Sequence, residues 1–534
     1  MRQEKQAIRF EIGFYPFLKE KLTGLAVFSY RIQIINYLSL LVIPSGDEGS
    51  LLNRSLHCGR DDMGFYQKRS ITKNVLLAMN RSIYYIRILF FLSAIHLSSC
   101  GSPNQNQQAE ETTTDTLSND SLLTLVQQQT FQYFWEGAEK TSGLARERIH
   151  IDGDYPQNDQ DVVTIGGGGF GVMNILVGIE RGFITRTEGV QRLEQIVDYL
   201  AKADRFHGAW PHWLHGPTGK VKPFGTKDNG GDLVETAFMA QSLICVRQYL
   251  ADGNEQERAV AAQADKLWKE IDWGWYRKDG QNVLYWHWSP QYGWEMNFPV
   301  TGYNECLIMY VLAAASPTHG VPAEVYHEGW AKKGAIKSNA EQYGYPVVLS
   351  FNGSEGSVGP LFWAHYSYLG LDPRGLTDQY ANYWDLNRNQ TLIQRAYCIE
   401  NPKHFKGYGP NAWGLTASYS VDGYAGHSPK NDLGVISPTA ALSSYPYTPE
   451  YSMQVIRYLY EQLGEKVWGQ YGFYDAYSET ANWYPQRYLA IDQGPIPVMI
   501  ENARTGLLWN LFMSAPEVKT GLKKLGFSST QHSL

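Results

Sequence analysis

The sequence lacks most of the patterns by which chemistry is recognised at sight. Its five cysteines, Cys58, Cys100, Cys245, Cys306 and Cys398, show no spacing for a metal centre or a redox pair. No G-x-S-x-G elbow is present, and no Cys/His pair is suggested by spacing, which argues against an activated nucleophile of those kinds. The glycine run Gly166–Gly169 with Gly171 is followed by no Lys-Ser/Thr and no strand is expected before it, which leaves a phosphate cradle a weak reading. His212 and His215 stand three apart, but no H-E-x-x-H or nearby acid completes a ligand set, and no metal or other cofactor is expected. Basic charge is scarce where it would matter. From residue 100 onward there are 33 Lys+Arg against 46 Asp+Glu, a balance that argues against nucleic acid. The longest apolar run near the front, Ile88–Ile95, is too short for a span of about 20 residues.

That short run has another meaning. Arg81 and Arg87 precede or punctuate it, and Leu97-Ser98-Ser99-Cys100 follows. Basic start, short apolar centre and small residues before a cysteine form the pattern of a bacterial lipoprotein signal, with cleavage and lipidation at Cys100. Residues 79–99 are then the signal, and Met79 its natural start. Residues 1–78 are expected to lie outside the working protein. Residues 100–118 are polar and low in complexity, as a tether between lipid and domain would be. The expected location is a bacterial cell envelope, with a membrane anchor and a monomeric body.

The body, 119–534, reads as helical. Leu122, Leu125, Val126, Phe131, Phe134 and Trp135 mark a first amphipathic helix. Further helices are predicted near Phe170–Glu180, after a capping box at Thr185 and Glu188, from Asp232 to Leu250, from Glu255 to Ile271, and over Cys306–Ala315. Later ones are predicted at Leu361–Leu369, Thr377–Tyr397, Thr439–Ser443, Thr448–Leu463 and Gln493–Met513. Strands are few, and no Pro/Ser linker divides the chain. The pattern fits an all-α toroid of helical hairpins, with loops at one end forming a cleft.

The stretch KPFGTKDNGGDLVETAFMAQSLICVRQYL, Lys222–Leu250, organises the rest. Its helix is apolar nearly all round and therefore buried. Asp232 at its start and Glu235 three residues on share one face. Capping accounts well for Asp232 and less well for Glu235. The arrangement recurs. An aromatic, Gly-rich loop with Trp273, Trp275, Trp286, Trp288 and Trp294 leads into Glu305 before another apolar helix, and a polar-aromatic loop ends in Asp492. Carboxylates framed by aromatic rings suit glycoside hydrolysis: one acid protonates the leaving oxygen, one carboxylate activates water or attacks carbon, and rings stack the sugars. A non-catalytic sugar-binding protein would use the rings without the acids and remains the rival reading.

The runs GGDLVETAFMAQSL, WYRKDGQNVLYWHWSPQYGWEMNFPVTGYNECLIMY, PAEVYHEGWA, GPLFWAHYSYLGLDPR, YGPNAWGLTAS, NDLGVISPTAALSSYPYTPE and YLAIDQGPIPVMIEN resemble the glycoamylase-like domain of glycoside hydrolase family 144, from about Ser121 to Met513. The resemblance implies an (α/α)6 toroid and inverting, usually endo-acting, hydrolysis of β-1,2-glucan. Release of sophorose from a chain end, or attack on another β-glucan, is the alternative. It places the essential acids at Asp232, Glu235, Glu305 and Asp492. Glu305 is expected to be an acid because its apolar, aromatic neighbours should raise its pKa. Asp232 or Asp492 would help activate or position water. Expected sugar contacts are Trp210, His212, Asp228, Trp286 and Trp288 in the first half of the body. Tyr303, His365, Tyr366 and Trp413 complete the set.

Overall fold

Helix α1, Asn119–Trp135, starts where the Ser118 hydroxyl accepts the Ser121 N–H. It leads by loops into α2, Ile165–Glu180, and α3, Arg186–Leu200. The computed structural model of the protein describes residues 117–155 and 159–534, so the signal, Cys100 and most of the tether lie outside the described residues. Both halves of the Thr185–Glu188 capping box form. Next come α4, Leu233–Leu250, and α5, Glu255–Lys269, which Asn254 and Glu257 cap reciprocally. Helix α6, Leu307–Ala315, is buried along its whole length. In the second half, α7 is Tyr383–Glu400, α8 Pro449–Glu461, α9 Pro495–Arg504, α10 Leu507–Ser514 and α11 Pro516–Lys524.

Helix α4 is the centre of this arrangement. It packs against α2, α5, α6 and α10, and from Leu233 to Val246 every residue is buried. Its apolar circumference requires such enclosure, since each face removed from water adds hydrophobic stabilisation. The glycines of α2 let that happen. They were expected as a loop ahead of the helix, and instead form its first turns. A Cβ on Gly169 would stand 2.8 Å from the Met239 Cα, inside any real contact distance. Glycine in a helix costs about 0.5–1 kcal/mol each relative to alanine. The close backbone approach of α2 to α4 offsets that loss.

Other departures from the expected elements have local causes. Leu361–Leu369 forms two short 3-10 turns, Leu361–Ala364 and Tyr366–Tyr368. Helix α7 begins later than expected, at the point where the Asn382 side chain accepts the N–H groups of Trp384 and Asp385. The stretch Gln493–Met513 is broken into α9 and α10 by Gly506 in the left-handed region, φ +72°. The periodicity gave no signal for α11.

Strands are few and short, as expected, and all pair antiparallel among the described residues. They act as clasps between loops. Strand β1, Arg148–His150, pairs through Arg148 with Leu489 of a strand just before Asp492. Strand β2, Val162–Thr164, pairs with β3, Trp213–His215, which lies beside β4, Lys220–Lys222. Strand β5, Gly231–Asp232, pairs with β6, His287–Trp288, setting Asp232 opposite His287. Strands β7, Ala417–Ser420, and β8, Gly423–Gly426, form a hairpin, and β9, Arg487–Leu489, is the partner of β1.

Candidate active site

Asp232 ends β5 with extended backbone, φ −111° and ψ 107°, and caps α4. Its Oδ1 accepts the N–H groups of Val234 and Glu235 at 3.0 and 2.9 Å. Its Oδ2 faces the imidazole of His212, with Nδ1 at 3.0 Å, and His287 Nε2 stands 3.9 Å away. Burial opposes ionisation, but the His212 hydrogen bond and charge hold the carboxyl below the usual aspartate range. Burial also opposes a charge on His212, yet Glu235 and the hydrogen bond that Nδ1 donates to Asp232 push it up to about 10. Aspartate and imidazolium thus form a buried ion pair at the mouth of the helix.

One turn on, Glu235 accepts the Gly166 N–H on Oε2 at 2.8 Å. Burial, with Asp232 adding to it, pushes its carboxyl up to about 7. A Cβ on Gly166 would come within 2.3 Å of that same oxygen, so the absence of a side chain at 166 is what admits the carboxylate. Glu305 stands just before α6. The Asn304 side chain accepts the Cys306 N–H at 3.0 Å, and the Ser367 hydroxyl donates to the Glu305 carbonyl. Burial pushes the Glu305 carboxyl up to about 7, with Asp232 close enough to contribute. Asp492 lies in the short helix Ala490–Gln493, its carbonyl accepting from Thr439 Oγ1 at 2.6 Å. Burial, and Asp475 beside it, raise its pKa well above the ordinary value. The Tyr366 hydroxyl lies in the field of Asp492, Glu235 and Glu305, and Glu305 lies in that of Asp232.

The expected sugar contacts divide. His212 and Asp228 belong to the acid cluster, with Asp228 Oδ2 3.5 Å from His287 Nε2. Tyr366 packs against Phe170, Phe238 and Phe362 with its hydroxyl toward the acids. Trp286 stacks on His287, rings 8° apart and centroids at 5.4 Å, and is half-buried. Trp288 is turned the other way. Side chains alternate along a strand, so with His287 facing Asp228 and Asp232, Trp288 packs edge-on to His207 and Trp275. Trp210, Tyr303, His365 and Trp413 are core residues rather than cleft residues. The Trp210 indole N–H donates to the Leu200 carbonyl, and the Tyr303 hydroxyl bonds the Trp363 carbonyl and Asn387. His365 bonds Ser444, and burial lowers its pKa to about 3. Trp413 sits among Leu361, Leu415 and Ala440 in the second core. An aromatic residue beside a glycine looks the same in sequence whether it faces a sugar or the core.

Sequence reading missed His287, Glu147, Asp475 and Tyr424. Period-two alternation through His287-Trp288 could have found His287, since it places the histidine on the face opposite Trp288. Nothing local marks the others. Glu147 is brought to the site by β1 and lies in the field of Glu235 and Asp492. Tyr424, on β8, keeps 56% of its surface open while standing in the field of Asp492, Asp475 and Glu147. Ligand atoms of His212, Asp228 and Asp232 gather within 4.8 Å of one another. Asp232 Oδ1 is taken by the Val234 and Glu235 N–H groups, and its Oδ2 by His212 Nδ1.

The Glycoamylase family model, whose description is a glucoamylase, matches residues 297–516. An endo-β-1,2-glucanase of Chitinophaga pinensis, solved with sophorotriose and glucose, is 69% identical. It superposes with a TM-score of 0.77 over 78% of this chain and 99% of its own. The chain belongs to glycoside hydrolase family 144. A second relative is an exo β-1,2-glucooligosaccharide sophorohydrolase of Parabacteroides distasonis, 45% identical over 443 residues, or 79% of this chain. The match spans 60% of that relative's length. An endo-β-1,2-glucanase of Talaromyces funiculosus shares the fold alone, at 11% identity and a TM-score of 0.56. That alignment covers 77% of this chain and 91% of the fungal one.

Proposed function

We propose that the protein hydrolyses β-1,2-glucan internally, with inversion, using Glu305 as general acid. The observation that carries the reading is the likeness to the Chitinophaga endo-β-1,2-glucanase, 69% identical over nearly all of that enzyme. The geometry of the acids supports it. Glu305, pushed up to about 7, still holds a proton in mildly acidic solution and can deliver it to the glycosidic oxygen. Asp232, held ionised by His212, is a fixed negative charge against an oxocarbenium-like transition state. Asp492, or Asp232, takes a proton from the water that attacks the anomeric carbon from the opposite face. An inverting enzyme keeps its two carboxyls roughly 6.5–9.5 Å apart to admit that water. The helices, in this reading, close as an (α/α)6 toroid whose loop-bearing rim carries all four acids. Trp286, beside His287, and the open ring of Tyr424 are the sugar-stacking surfaces. The anchor at Cys100 belongs to the same proposal and would hold the enzyme at a bacterial envelope, where oligosaccharides arrive from outside.

The relative from Parabacteroides favours a second reading, exo release of sophorose. Incubation of the purified protein with linear β-1,2-glucan separates the two. A ladder of shortening oligosaccharides early in the reaction is expected, with activity unchanged by EDTA. Sophorose as the sole early product would replace endo by exo action. Tight glucan binding without any product would leave a binding protein.

A further inference from the structure

Asp475 has no part in the reading so far. It lies in the loop between α8 and β9, with its main chain pinned: Ser437 Oγ donates to its carbonyl at 2.6 Å, and its N–H donates to the Arg487 carbonyl at 2.9 Å. Its Oδ2 accepts the Tyr419 N–H at 2.8 Å. Its other oxygen, Oδ1, is buried without any donor. So are both carboxyl oxygens of Asp492. The two side chains line one narrow, partly open cavity together with Thr439, Phe473 and Tyr474, and the cavity has no room for a water molecule. Two carboxylates are acceptors only. Facing each other in a dry cavity, they cannot both be ionised, and the missing donor between them has to be a proton.

We infer that Asp475 is a positioning residue for Asp492, and that the two carboxyls hold one proton between them in the working enzyme. The inference rests on the reading of Asp492 as part of the reacting set. One shared proton leaves one negative charge on the pair, so it retains a base. It also fixes which oxygen of Asp492 is free, because the other is held by the shared hydrogen. As water attacks, one of its O–H bonds breaks and Asp492 gains that proton, the water oxygen bonds the anomeric carbon, and the glycosidic C–O bond breaks with its electron pair on the leaving oxygen, which Glu305 protonates. The surroundings agree with a retained proton. Burial raises both acids, Asp475 to about 6 and Asp492 well above its ordinary value. Glu147 adds repulsion from the β1 side, while the Tyr366 hydroxyl lies near Asp492 and lowers it in part. The hydroxyl of Tyr424 faces the pair from β8, and Arg148 and Arg487 stand beside Tyr419.

The test compares Asp475→Asn and Asp475→Glu in the full-length protein. An asparagine amide donates to Asp492 and holds it ionised without the shared proton. The acidic limb of kcat/KM should then move down by at least about one pH unit. kcat should fall more than tenfold with KM within about twofold, since a weaker base is left in place. Asp475→Glu, which can still share a proton, should restore the position of the limb. Infrared titration tests the proton directly. At about pH 8.5, above Glu235 and Glu305, a protonated-carboxyl band should persist in the native protein and vanish in both Asp475→Asn and Asp492→Asn. The band needs no substrate, so its absence in the native protein overturns the shared proton even if glucan is hydrolysed, and its presence stands even if glucan is not the substrate. An unmoved acidic limb in a folded Asp475→Asn would reduce Asp475 to a packing residue.

Discussion

The raised pKa of Glu305 makes a prediction about stability that needs no substrate. In an unfolded chain this carboxyl titrates near 4.5, and in the folded protein near about 7. Between those values the folded state binds more protons than the unfolded state, so stability falls as pH rises. The contribution of Glu305 is fully present below the unfolded value and is lost as pH climbs through the folded one. A difference of about 2.5 units, at 1.36 kcal/mol each, amounts to about 3 kcal/mol. Glu305→Gln has the shape of the protonated acid and cannot ionise. At about pH 4 the variant and the native protein should therefore melt together. At about pH 8 the variant should be the more stable by up to about 3 kcal/mol. For about 400 ordered residues, each adding about 2.1 cal/mol/K to the unfolding entropy, that is a gap in Tm of about 4 °C. Differential scanning fluorimetry across the range would read it, alongside a fall in activity of about a hundredfold or more at every pH. A Tm gap that is the same at both ends of the range would refute the buried, protonated state of Glu305, and with it the assignment of the acid.

Two further outcomes follow from the packing around the acids. Gly166→Ala places a Cβ within 2.3 Å of Glu235 Oε2 and should displace that carboxylate, lowering kcat by about tenfold to a hundredfold with KM nearly unchanged in steady-state assays. Tyr424→Ala removes an exposed ring and should leave Tm within about 1 °C while raising KM about fivefold, the equivalent of about 1 kcal/mol of stacking; an unchanged KM would remove Tyr424 from the sugar path.

How much of this could be read from sequence depends on the range of the interaction. The Thr185–Glu188 box and the enclosed α4 were legible because each is set by residues within a few positions of one another. So was the placement of Asp232 and Glu305 at helix starts, since loop and periodicity adjoin there, whereas Asp492 lies inside a short helix of its own, Ala490–Gln493. The start of α2 was not, because five glycines disfavour a helix locally and only the later arrival of α4 against them compensates. The same holds for the aromatics. Trp288 and His287 are neighbours in sequence, yet the pairing of His287 with Asp232 across 55 positions decides which of them meets the acids. Asp475 was invisible for the same reason: its carboxyl matters only because Asp492 closes over the same cavity.

The states of the acids follow from their donors rather than from their depth. Asp232, Glu235 and Glu305 are all buried, at 0, 6 and 8% exposure, so desolvation presses on each of them toward the neutral form. What separates them is what each carboxyl receives. Asp232 takes two N–H groups from the first turn of α4 and a charged imidazole. Glu235 takes a single N–H, from Gly166, and has the Asp232 charge beside it. Glu305 has weaker support still, drawn from its own main chain and Cys306. Donors are therefore concentrated on one acid, which stays ionised, and withheld from the other two, which keep their protons to about 7. A helix N-terminus supplies those donors only at its first turn. This is why the ionised member has to be the capping residue, and why the proton-bearing ones stand one turn inside α4 and ahead of α6.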